Sequence, residues 1–433
     1  MNWHDGAPFS ARDILFTVNR ARNPADPAAT VHVEGLRVIK AVEAPDDFTI
    51  RLTLAQPSVS FMTTMSSPNL LVYPAHIPDI TGTWKPNPIG TGPFKFKSLI
   101  KDVSSEVVRN PSYFKKDAAG RQLPYLDGVK HSFIVDQGLA FAAFRSGRLD
   151  CACGYQSDIL DTQKEAAAQS IPGVKFGAGT IPNIMYFSSR PPWNNQKARQ
   201  AVHIGLDRKV LRDVVRGGTG IYPPTYMLPR ESGGKFSLSA QEILNIPGFR
   251  DPKEQDIALA KKLFQEAGVD PATITVSIPV VESIRDFGEA AASLLLKVGV
   301  KATVRLLGGN ADLGSVRLRG DFDLGFTGGG GDRDDPASQI IPHVITGGAN
   351  NFGKFSSPMV DQLLAAQERE IDFAKRQQLI TDLQRELLDW AVFVPMNNIA
   401  ALYAAAPYVE GIVLTRAFSV SVAHRAEQVW FNK

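Results

Sequence analysis

Residues 273–307 read TITVSIPVVESIRDFGEAAASLLLKVGVKATVRLL, and their pattern sets the fold class. The β-branched runs at 273–280 and 300–307 predict two strands, and the alanine- and leucine-rich run at 284–297 predicts a helix between them. A strand, a helix and a strand in that order form a crossover unit whose strands run parallel. A further apolar run at 322–326 extends the series, so the stretch predicts an α/β lobe with parallel strands.

The length of the chain predicts a second lobe. At 433 residues it is too long for one ordinary hydrophobic core, because cores stop growing near about 250 to 300 residues. We expect lobe I to comprise 1–185 with a returning tail, 401–433, and lobe II to comprise 186–400. A cluster of glycine, proline and asparagine divides lobe I into an accessory subdomain, 1–88, and a core subdomain, 89–185.

The start of the chain carries a helix signal followed by a hairpin signal. Ser10 with Asp13 three residues later is typical of a helix N-cap, and Asn23 before a proline is expected to end that helix. The runs 36–42 and 48–54 predict a half-buried β-hairpin. In the second run the apolar side chains, beginning with the phenylalanine at its start, alternate with polar ones and are expected to face the core.

Further along the chain, apolar residues recur at helical spacing. The runs 137–145 and 195–215 each predict a helix, and the charge-rich run 359–390 is predicted to be helical. The short apolar run 392–395 predicts a strand after the last of them. The alternation of strands and helices favours α/β construction in both lobes.

Composition and charge exclude several classes of protein. Hydrophobic residues make up 44% of the chain and charged residues 21%, which is typical of a folded globular protein. The net charge of +3 provides no long-range field to attract nucleic acid or an anionic membrane. Apolar stretches fall short of the roughly 18 residues that a membrane span requires, and the first residues carry no secretory signal.

One glycine- and acid-rich segment has the composition of a binding loop: Gly328-Gly329-Gly330-Gly331-Asp332-Arg333-Asp334-Asp335-Pro336. Glycines let the backbone approach a ligand closely, and the carboxylates that follow can bind an ammonium group or a metal. The lysine and hydroxyl that complete a phosphate-binding loop are missing, so a nucleotide site is not expected. The alternative is a solvated turn, which is built from the same residue types.

Pattern analysis finds no catalyst and no metal centre. The seven histidines are scattered, with no two at the helical spacing of a metal pair, and no serine lies in a Gly-x-Ser-x-Gly motif. We therefore predict no catalytic residue, no metal and no cofactor. Asn183 and Trp193 flank the strand-like run 184–188, which enters lobe II, where an amide or an aromatic ring can line a cleft. The alternative for each is ordinary packing.

A set of short motifs follows a fixed order along essentially the whole chain. They are Trp3-His4-Asp5-Gly6-Ala7-Pro8-Phe9-Ser10-Ala11-Arg12-Asp13, Asn87-Pro88-Ile89-Gly90-Thr91-Gly92-Pro93-Phe94, Arg109-Asn110-Pro111-Ser112-Tyr113-Phe114, Tyr125-Leu126-Asp127-Gly128-Val129, Ser146-Gly147-Arg148-Leu149-Asp150, Ala198-Arg199-Gln200-Ala201 with Leu206-Asp207-Arg208, Ala260-Lys261-Lys262-Leu263 with Ala267-Gly268, and Phe322-Asp323-Leu324 leading to Asp335-Pro336. Each motif is weak alone. In number and order they resemble the solute-binding proteins of the family 5 peptide, dipeptide and nickel ABC importers.

The resemblance implies an α/β, two-lobed periplasmic-binding-protein fold of the large, cluster-C-like type, with a ligand cleft between the lobes. It implies a monomeric receptor, in the periplasm or on a lipid anchor outside the cytoplasm, that presents a peptide or similar small solute to ABC permease subunits with their ATPase. It implies no catalysis, no cofactor and no nucleic-acid partner. By position, Asp332 matches the acid that holds a peptide's N-terminal ammonium group. Arg333, Trp193 and Asn183 are the further candidates for ligand binding.

Two departures from the family pattern keep alternatives open. Members usually carry a tryptophan three residues before the acid, where this chain has Gly329, so a receptor for oligosaccharides, opines or metal chelates is one alternative. The Trp-His-Asp-Gly motif begins at residue 3, so we expect a chain without its signal sequence and without the first strands of lobe I. A second alternative is therefore a remnant of a receptor that binds nothing. A third is a hydrolase that uses Asp332, Asp334 and Asp335 as acid/base groups or metal ligands.

Overall fold

The computed structural model describes residues 1–23, 33–67, 70–77, 88–134, 136–153, 159, 163–216, 220–328, 334–412 and 422–433. The chain divides into two compact units. Unit 1 comprises Met1–Gly179 and Ala401–Lys433, and unit 2 comprises Thr180–Ala400. Both boundaries between the units fall inside strands, Lys175–Phe187 and Phe393–Ala405.

The strands, in chain order, are β1 (Ile39–Asp46), β2 (Thr49–Leu54), β3 (Phe94–Ile100), β4 (Ser104–Arg109), β5 (Gly128–Ser132), β6 (Cys151–Ala152), β7 (Lys175–Phe187), β8 (Thr275–Val280), β9 (Lys301–Leu306), β10 (Leu324–Gly328), β11 (Phe393–Ala405), β12 (Val409–Glu410) and β13 (Trp430–Phe431). The α-helices are α1 (Ala11–Arg22), α2 (Val33–Leu36), α3 (Phe61–Met65), α4 (Gln137–Arg145), α5 (Lys164–Ser170), α6 (Gln196–Gly205), α7 (Arg208–Arg216), α8 (Ala240–Leu244), α9 (Glu254–Glu266), α10 (Arg285–Leu295), α11 (Asn310–Arg319), α12 (Pro336–Gln339), α13 (Ile341–Val344), α14 (Pro358–Arg369) and α15 (Phe373–Trp390).

Helix α1 of unit 1 begins and ends where the sequence predicts. The Ser10 side chain accepts hydrogen bonds from the first turn, and the Ser10 N–H donates to Asp13 Oδ2 at 2.8 Å, which completes a capping box. The helix ends before Asn23, which has an extended backbone. These end groups satisfy backbone N–H groups that have no partner inside the helix.

The predicted hairpin is present, as β1 and β2 pair antiparallel. The prediction that Phe48 faces the core is wrong, because 95% of its surface is exposed. Asp46 Oδ1 accepts a hydrogen bond from the Phe48 N–H at 2.8 Å, so this phenylalanine lies in a turn fixed by an aspartate side chain. The alternation of half-buried and exposed residues begins one step later, at Thr49.

Unit 1 contains further antiparallel pairings. Strands β3, β4 and β5 form a three-stranded sheet, and β12 pairs with β13. Strand β6 pairs with the last residues of β11. Helix α4 confirms the helix predicted at 137–145.

Unit 2 contains the predicted strand–helix–strand unit. Strands β8 and β9 pair parallel, with α10 between them in the chain. The run at 322–326 was predicted to join them as a parallel strand, and this is wrong. Strand β10 pairs antiparallel with β7, from Leu324 opposite Phe187 to Gly328 opposite Asn183. Its partner lies far earlier in the chain, where a local pattern cannot reveal the direction of pairing.

The two long runs predicted to be helical each contain two helices. The run 195–215 forms α6 and α7, because Leu206 has an extended backbone and the Asp207 side chain caps the first turn of α7 at 3.0 Å. The run 359–390 forms α14 and α15, and the Asp372 side chain caps α15 at 2.9 Å. In both runs a polar cap interrupts an apolar repeat that continues on either side.

Strand β7 lies at the centre of the hydrophobic core of unit 2. Met185 and Phe187 belong to one buried cluster, and Ile184 and Tyr186 belong to another. Because successive side chains of a strand point to opposite faces, this part of β7 has apolar contacts on both faces. In the part of the chain that the structure describes, no helix is long and apolar enough to cross a bilayer.

Candidate functional site

Two strands of unit 2 meet at the start of the glycine- and acid-rich segment. Asn183 of β7 lies opposite Gly328, the last residue of β10. Asn183 is half-buried, so its amide stands beside the position where that segment leaves the sheet. Asp332 and Arg333, which the sequence places first among the site residues, lie outside the described residues.

A third strand brings a second amide to the same end of the sheet. The Phe187 N–H at the end of β7 donates to the carbonyl of Val392, just before the neighbouring β11. Strand β7 runs from unit 1 into unit 2 and β11 runs from unit 2 into unit 1, so these two neighbouring strands are antiparallel. Asn397 follows Val392 by the same number of residues as Pro182 precedes Phe187. In an antiparallel pair these two positions lie opposite each other, so Asn397 lies level with the start of the unit 2 part of β7. We call Asn183, Gly328 and Asn397 the polar strand end.

The sequence analysis missed Asn397. Only 3% of its surface is exposed, and neither the oxygen nor the nitrogen of its side-chain amide has a hydrogen-bond partner among the described residues. The neighbouring Asn398, in contrast, exchanges hydrogen bonds with Thr225. A buried polar group without a hydrogen-bond partner costs about 1–3 kcal/mol of stability. A ligand that supplied the missing hydrogen bonds to Asn397 would recover this cost. The signal in the sequence was two adjacent amides inside the apolar run 392–405.

Asp335, at the end of the acidic segment, is an anchor inside unit 2. Its Oδ1 accepts from the Ala337 N–H at 2.9 Å and so caps α12. Its Oδ2 accepts from Arg376 at 2.9 Å, and both side chains of this ion pair are almost fully buried. Arg376 also donates to Gln367 at 3.0 and 3.1 Å. The network fixes the chain directly after the segment and occupies both oxygens of Asp335.

Asp334 is only partly satisfied. Its Oδ2 accepts from the Lys235 N–H at 2.8 Å, whereas its buried Oδ1 has no hydrogen-bond partner in the described part of the chain. Burial raises the pKa of Asp334, because the charged form loses solvation. This carboxyl group therefore has one oxygen held by the protein and one unused.

Trp193 lies in the core of unit 2. None of its surface is exposed, and its ring packs 5.5 Å from that of Phe187. Its carbonyl accepts from Arg199 at 2.7 Å. This burial is what the packing alternative for Trp193 predicts, and its contact with a ligand stays a prediction.

The Trp-His-Asp-Gly motif of unit 1 is a packing motif. The buried Asp13 carboxylate accepts from the Trp3 indole N–H at 3.2 Å and from the Ala75 N–H at 2.8 Å, in addition to the helix cap at Ser10. The imidazole of His4 lies between the backbones of Gly90 and Gly92. These contacts join segments far apart in the chain, which explains why the motif residues occur together.

The described part of the site consists of amides and carboxyl groups. Among the described residues, no group of three or more histidine, cysteine or acidic side chains is placed to hold a metal ion. The hydrolase alternative requires Asp335 to act on a substrate, whereas its oxygens are bound to α12 and Arg376. The described groups that remain are two amides and the unused oxygen of Asp334.

Comparisons with known proteins agree on one family. Residues 1–351 match the family described as bacterial extracellular solute-binding proteins, family 5 Middle. A relative from Brucella ovis, a putative ABC transporter peptide-binding protein, is 27% identical over 410 residues, which cover 86% of this chain and 70% of the relative.

Solved structures share the fold over the whole chain. The murein tripeptide binding protein MppA of Escherichia coli has a TM-score of 0.83 at 21% identity, with 100% of this chain and 85% of that chain covered. The periplasmic binding protein AgaA of A. tumefaciens R10, in complex with agropinic acid, has a TM-score of 0.80 at 22% identity, with 100% and 85% covered. The two-lobed α/β fold implied by the sequence is therefore confirmed.

Proposed function

Because the chain belongs to the family 5 bacterial extracellular solute-binding proteins, we propose that it captures a peptide or a similar small solute and delivers it to the permease of an ABC import system. The match of residues 1–351 to that family carries the proposal. The chain acts as a monomer outside the cytoplasm, in the periplasm or on a lipid anchor. Its partners are the permease subunits with their ATPase, and it does not change the solute chemically.

Asp332 is the proposed ligand of the solute's ammonium group. Its two acidic neighbours support this role, because Asp335 is bound to Arg376 and Asp334 already accepts a bond from the backbone of Lys235. A charge-assisted hydrogen bond contributes about 1.5–3 kcal/mol. That is enough to fix the orientation of a peptide by its N-terminus.

The polar strand end is the proposed contact for the peptide main chain. Asn183 and Asn397 lie on opposite faces of the sheet, and each offers a donor group and an acceptor that match the N–H and C=O of a peptide unit. Arg333 follows the proposed ammonium ligand and is the candidate contact for an acidic group of the solute.

A non-peptide solute is the second candidate. Gly329 stands where members of the family usually carry an aromatic ring, and the smaller residue leaves room for a bulkier solute. The structural relative AgaA, whose complex contains agropinic acid, shares the fold and makes an opine a specific compound to test.

A thermal-shift panel tests the class of solute. It contains di-, tri- and tetrapeptides, their N-acetylated counterparts, agropinic acid, oligosaccharides and a metal chelate. A peptide receptor is stabilised by the free peptides more than by the acetylated ones, and mass spectrometry recovers the peptide intact. Stabilisation by agropinic acid, sugars or the chelate alone rejects the peptide assignment, and cleaved peptide rejects the binding-protein assignment.

Calorimetry on the peptide selected by the panel tests the site. Asp332→Ala is expected to raise the Kd about tenfold, which corresponds to about 1.4 kcal/mol. Asp321→Ala is the matched control, because Asp321 pairs with Arg305 at the surface of unit 2. Equal affinity of the two variants removes Asp332 from the site without affecting the family assignment.

A further inference from the structure

Unit 2 contains a small cavity that the proposed function does not use. Its residues border about 250 Å³ of space between atoms, part of which is open to solvent. Most of its wall is aromatic. The rings belong to Tyr186, His343, Phe352, Phe355, Trp390 and Phe393.

His343 lines this cavity and carries an unused polar atom. Its side chain is 9% exposed, and its Nδ1 is buried without a hydrogen-bond partner in the described part of the chain. The ring stacks on Phe393, with centroids 4.6 Å apart. Burial, with a smaller effect of the Arg317 cation, lowers the pKa of His343 to about 4, so the ring is neutral at pH 7 and one nitrogen carries a proton.

Two further donors line the same space. The Tyr186 hydroxyl oxygen accepts from Arg317 Nε at 2.8 Å, which leaves its own hydrogen available. Asn350 also lines the cavity. The neighbouring Asn351 is different, because its amide bonds the backbone at Ile345 and Phe355 and holds the wall in place.

Two arginine guanidinium groups lie against the aromatic wall of the cavity. The guanidinium of Arg317 lies 5.1 Å from the centre of the Phe352 ring, and that of Arg199 lies 4.7 Å from the centre of the Phe355 ring. Arg317 donates to a hydroxyl and a carbonyl, and Arg199 donates to carbonyls. Within the described parts of the chain, neither guanidinium pairs with a carboxylate and no acidic side chain lines the cavity.

We propose that this cavity binds a small anion of the size of chloride, held by the Tyr186 hydroxyl, the Asn350 amide and the Nδ1–H of His343. Three residues with donor groups line one small space, and two guanidinium groups that bind no carboxylate among the described residues lie behind its aromatic wall, so the site suits an acceptor with negative charge. Opposite charges attract more strongly at a partly buried site than in bulk water, which favours the anion over a neutral occupant. The rival occupant is a single ordered water molecule.

Diffraction distinguishes the two occupants directly. Crystals of the full chain are grown in sodium chloride, and anomalous scattering is measured at a long wavelength where chlorine gives a signal. An anomalous peak within hydrogen-bond distance of Tyr186 Oη or His343 Nδ1 supports the proposal. Density without an anomalous signal, or an empty cavity, overturns it.

A solution experiment tests the donors without relying on crystals. The Tm is measured in sodium chloride and in sodium gluconate at the same ionic strength, since gluconate is too large for the cavity. The wild-type chain is expected to have the higher Tm in chloride, and Tyr186→Phe and Asn350→Ala are expected to abolish this difference. Tyr222→Phe, which removes a hydroxyl bonded to Phe249 elsewhere in unit 2, keeps it. The same anion effect in all variants, or none in the wild type, refutes the anion site.

Discussion

Replacing Asp335 by asparagine removes one charge from the buried pair with Arg376 and leaves the side chain able to cap α12. The two side chains are 4% and 9% exposed, and Arg376 keeps its bonds to Gln367. The substitution therefore isolates the ion pair from the helix cap. It leaves the guanidinium buried without a carboxylate.

The expected cost follows from this burial. Removing one partner of a buried ion pair costs about 3–5 kcal/mol, because the remaining charge loses its compensation. The asparagine side chain would still cap the helix about as well as aspartate, so we expect Asp335→Asn to lower the free energy of unfolding of unit 2 by about 3 kcal/mol. Asp335→Ala also loses the cap, which adds about 0.5–2 kcal/mol.

Hydrogen–deuterium exchange along a urea series measures this loss in peptides from α12 and α15. Asp321→Asn is the control, because its pair with Arg305 is 51% and 36% exposed and is expected to contribute no more than about 1 kcal/mol. If Asp335→Asn lowers the free energy of unfolding no more than Asp321→Asn does, the network does not anchor the acidic segment. The proposal that Asp332, rather than Asp335, binds the ligand then loses its support.

Three further changes have measurable outcomes. Gly205→Ala places a methyl group closer to the Val298 side chain than two carbon atoms can approach, and it should destabilise unit 2 by about 1–3 kcal/mol in urea unfolding. Gly314→Ala, in the open interior of α11, should stabilise unit 2 by about 0.4–1 kcal/mol. Stability changes of the same sign in the two variants would contradict the packing. The folded pKa of His343, about 4, lies below its ordinary 6.5, so below pH 6.5 the unfolded chain takes up the proton first and stability falls by about 3 kcal/mol as the pH decreases to 4. His343→Leu should reduce that slope, and an unchanged pH profile by thermal unfolding would show that the ring titrates normally. Trp193→Phe should leave the Kd of the solute within about twofold in calorimetry, because the ring is buried in the core, and a larger loss would restore it as a ligand contact.

Local signals in the sequence predicted local structure well. The capping box at Ser10, the helix at 137–145 and the parallel pair β8 and β9 follow from residues close together in the chain. The family resemblance, which sums many weak motifs, gave the two-lobed fold. Neither required knowledge of long-range contacts.

The wrong predictions depend on contacts between distant segments. Strand β10 runs antiparallel because its partner is β7, and helix α6 ends where Gly205 packs directly against Val298 of another element. The apolar repeat through 195–215 is continuous, and only the three-dimensional packing shows why the backbone turns there. The prediction for Phe48 was wrong for a local reason, because the Asp46 side chain accepts a hydrogen bond from the Phe48 N–H.

The candidate site was predictable in part. The acidic segment was recognisable by composition. Which of its carboxylates are already bound within the protein depends on Arg376 and on the backbone of Lys235, and both are remote in sequence. Asn397 lacked any motif, and only its unpaired burial identifies it. A sequence shows which groups are present, whereas a structure shows which of them are already occupied.

The two-sided burial of β7 restricts how this family of chains can change length. Ile184 and Tyr186 belong to one buried cluster, and Met185 and Phe187 belong to the other. A single inserted or deleted residue would therefore move each strand side chain beyond it to the opposite face of the sheet and into the wrong cluster. Exchanges between residues of similar volume leave both compartments filled. Divergent relatives should therefore differ in this strand by substitution and keep its residue count, with insertions and deletions confined to the connecting loops.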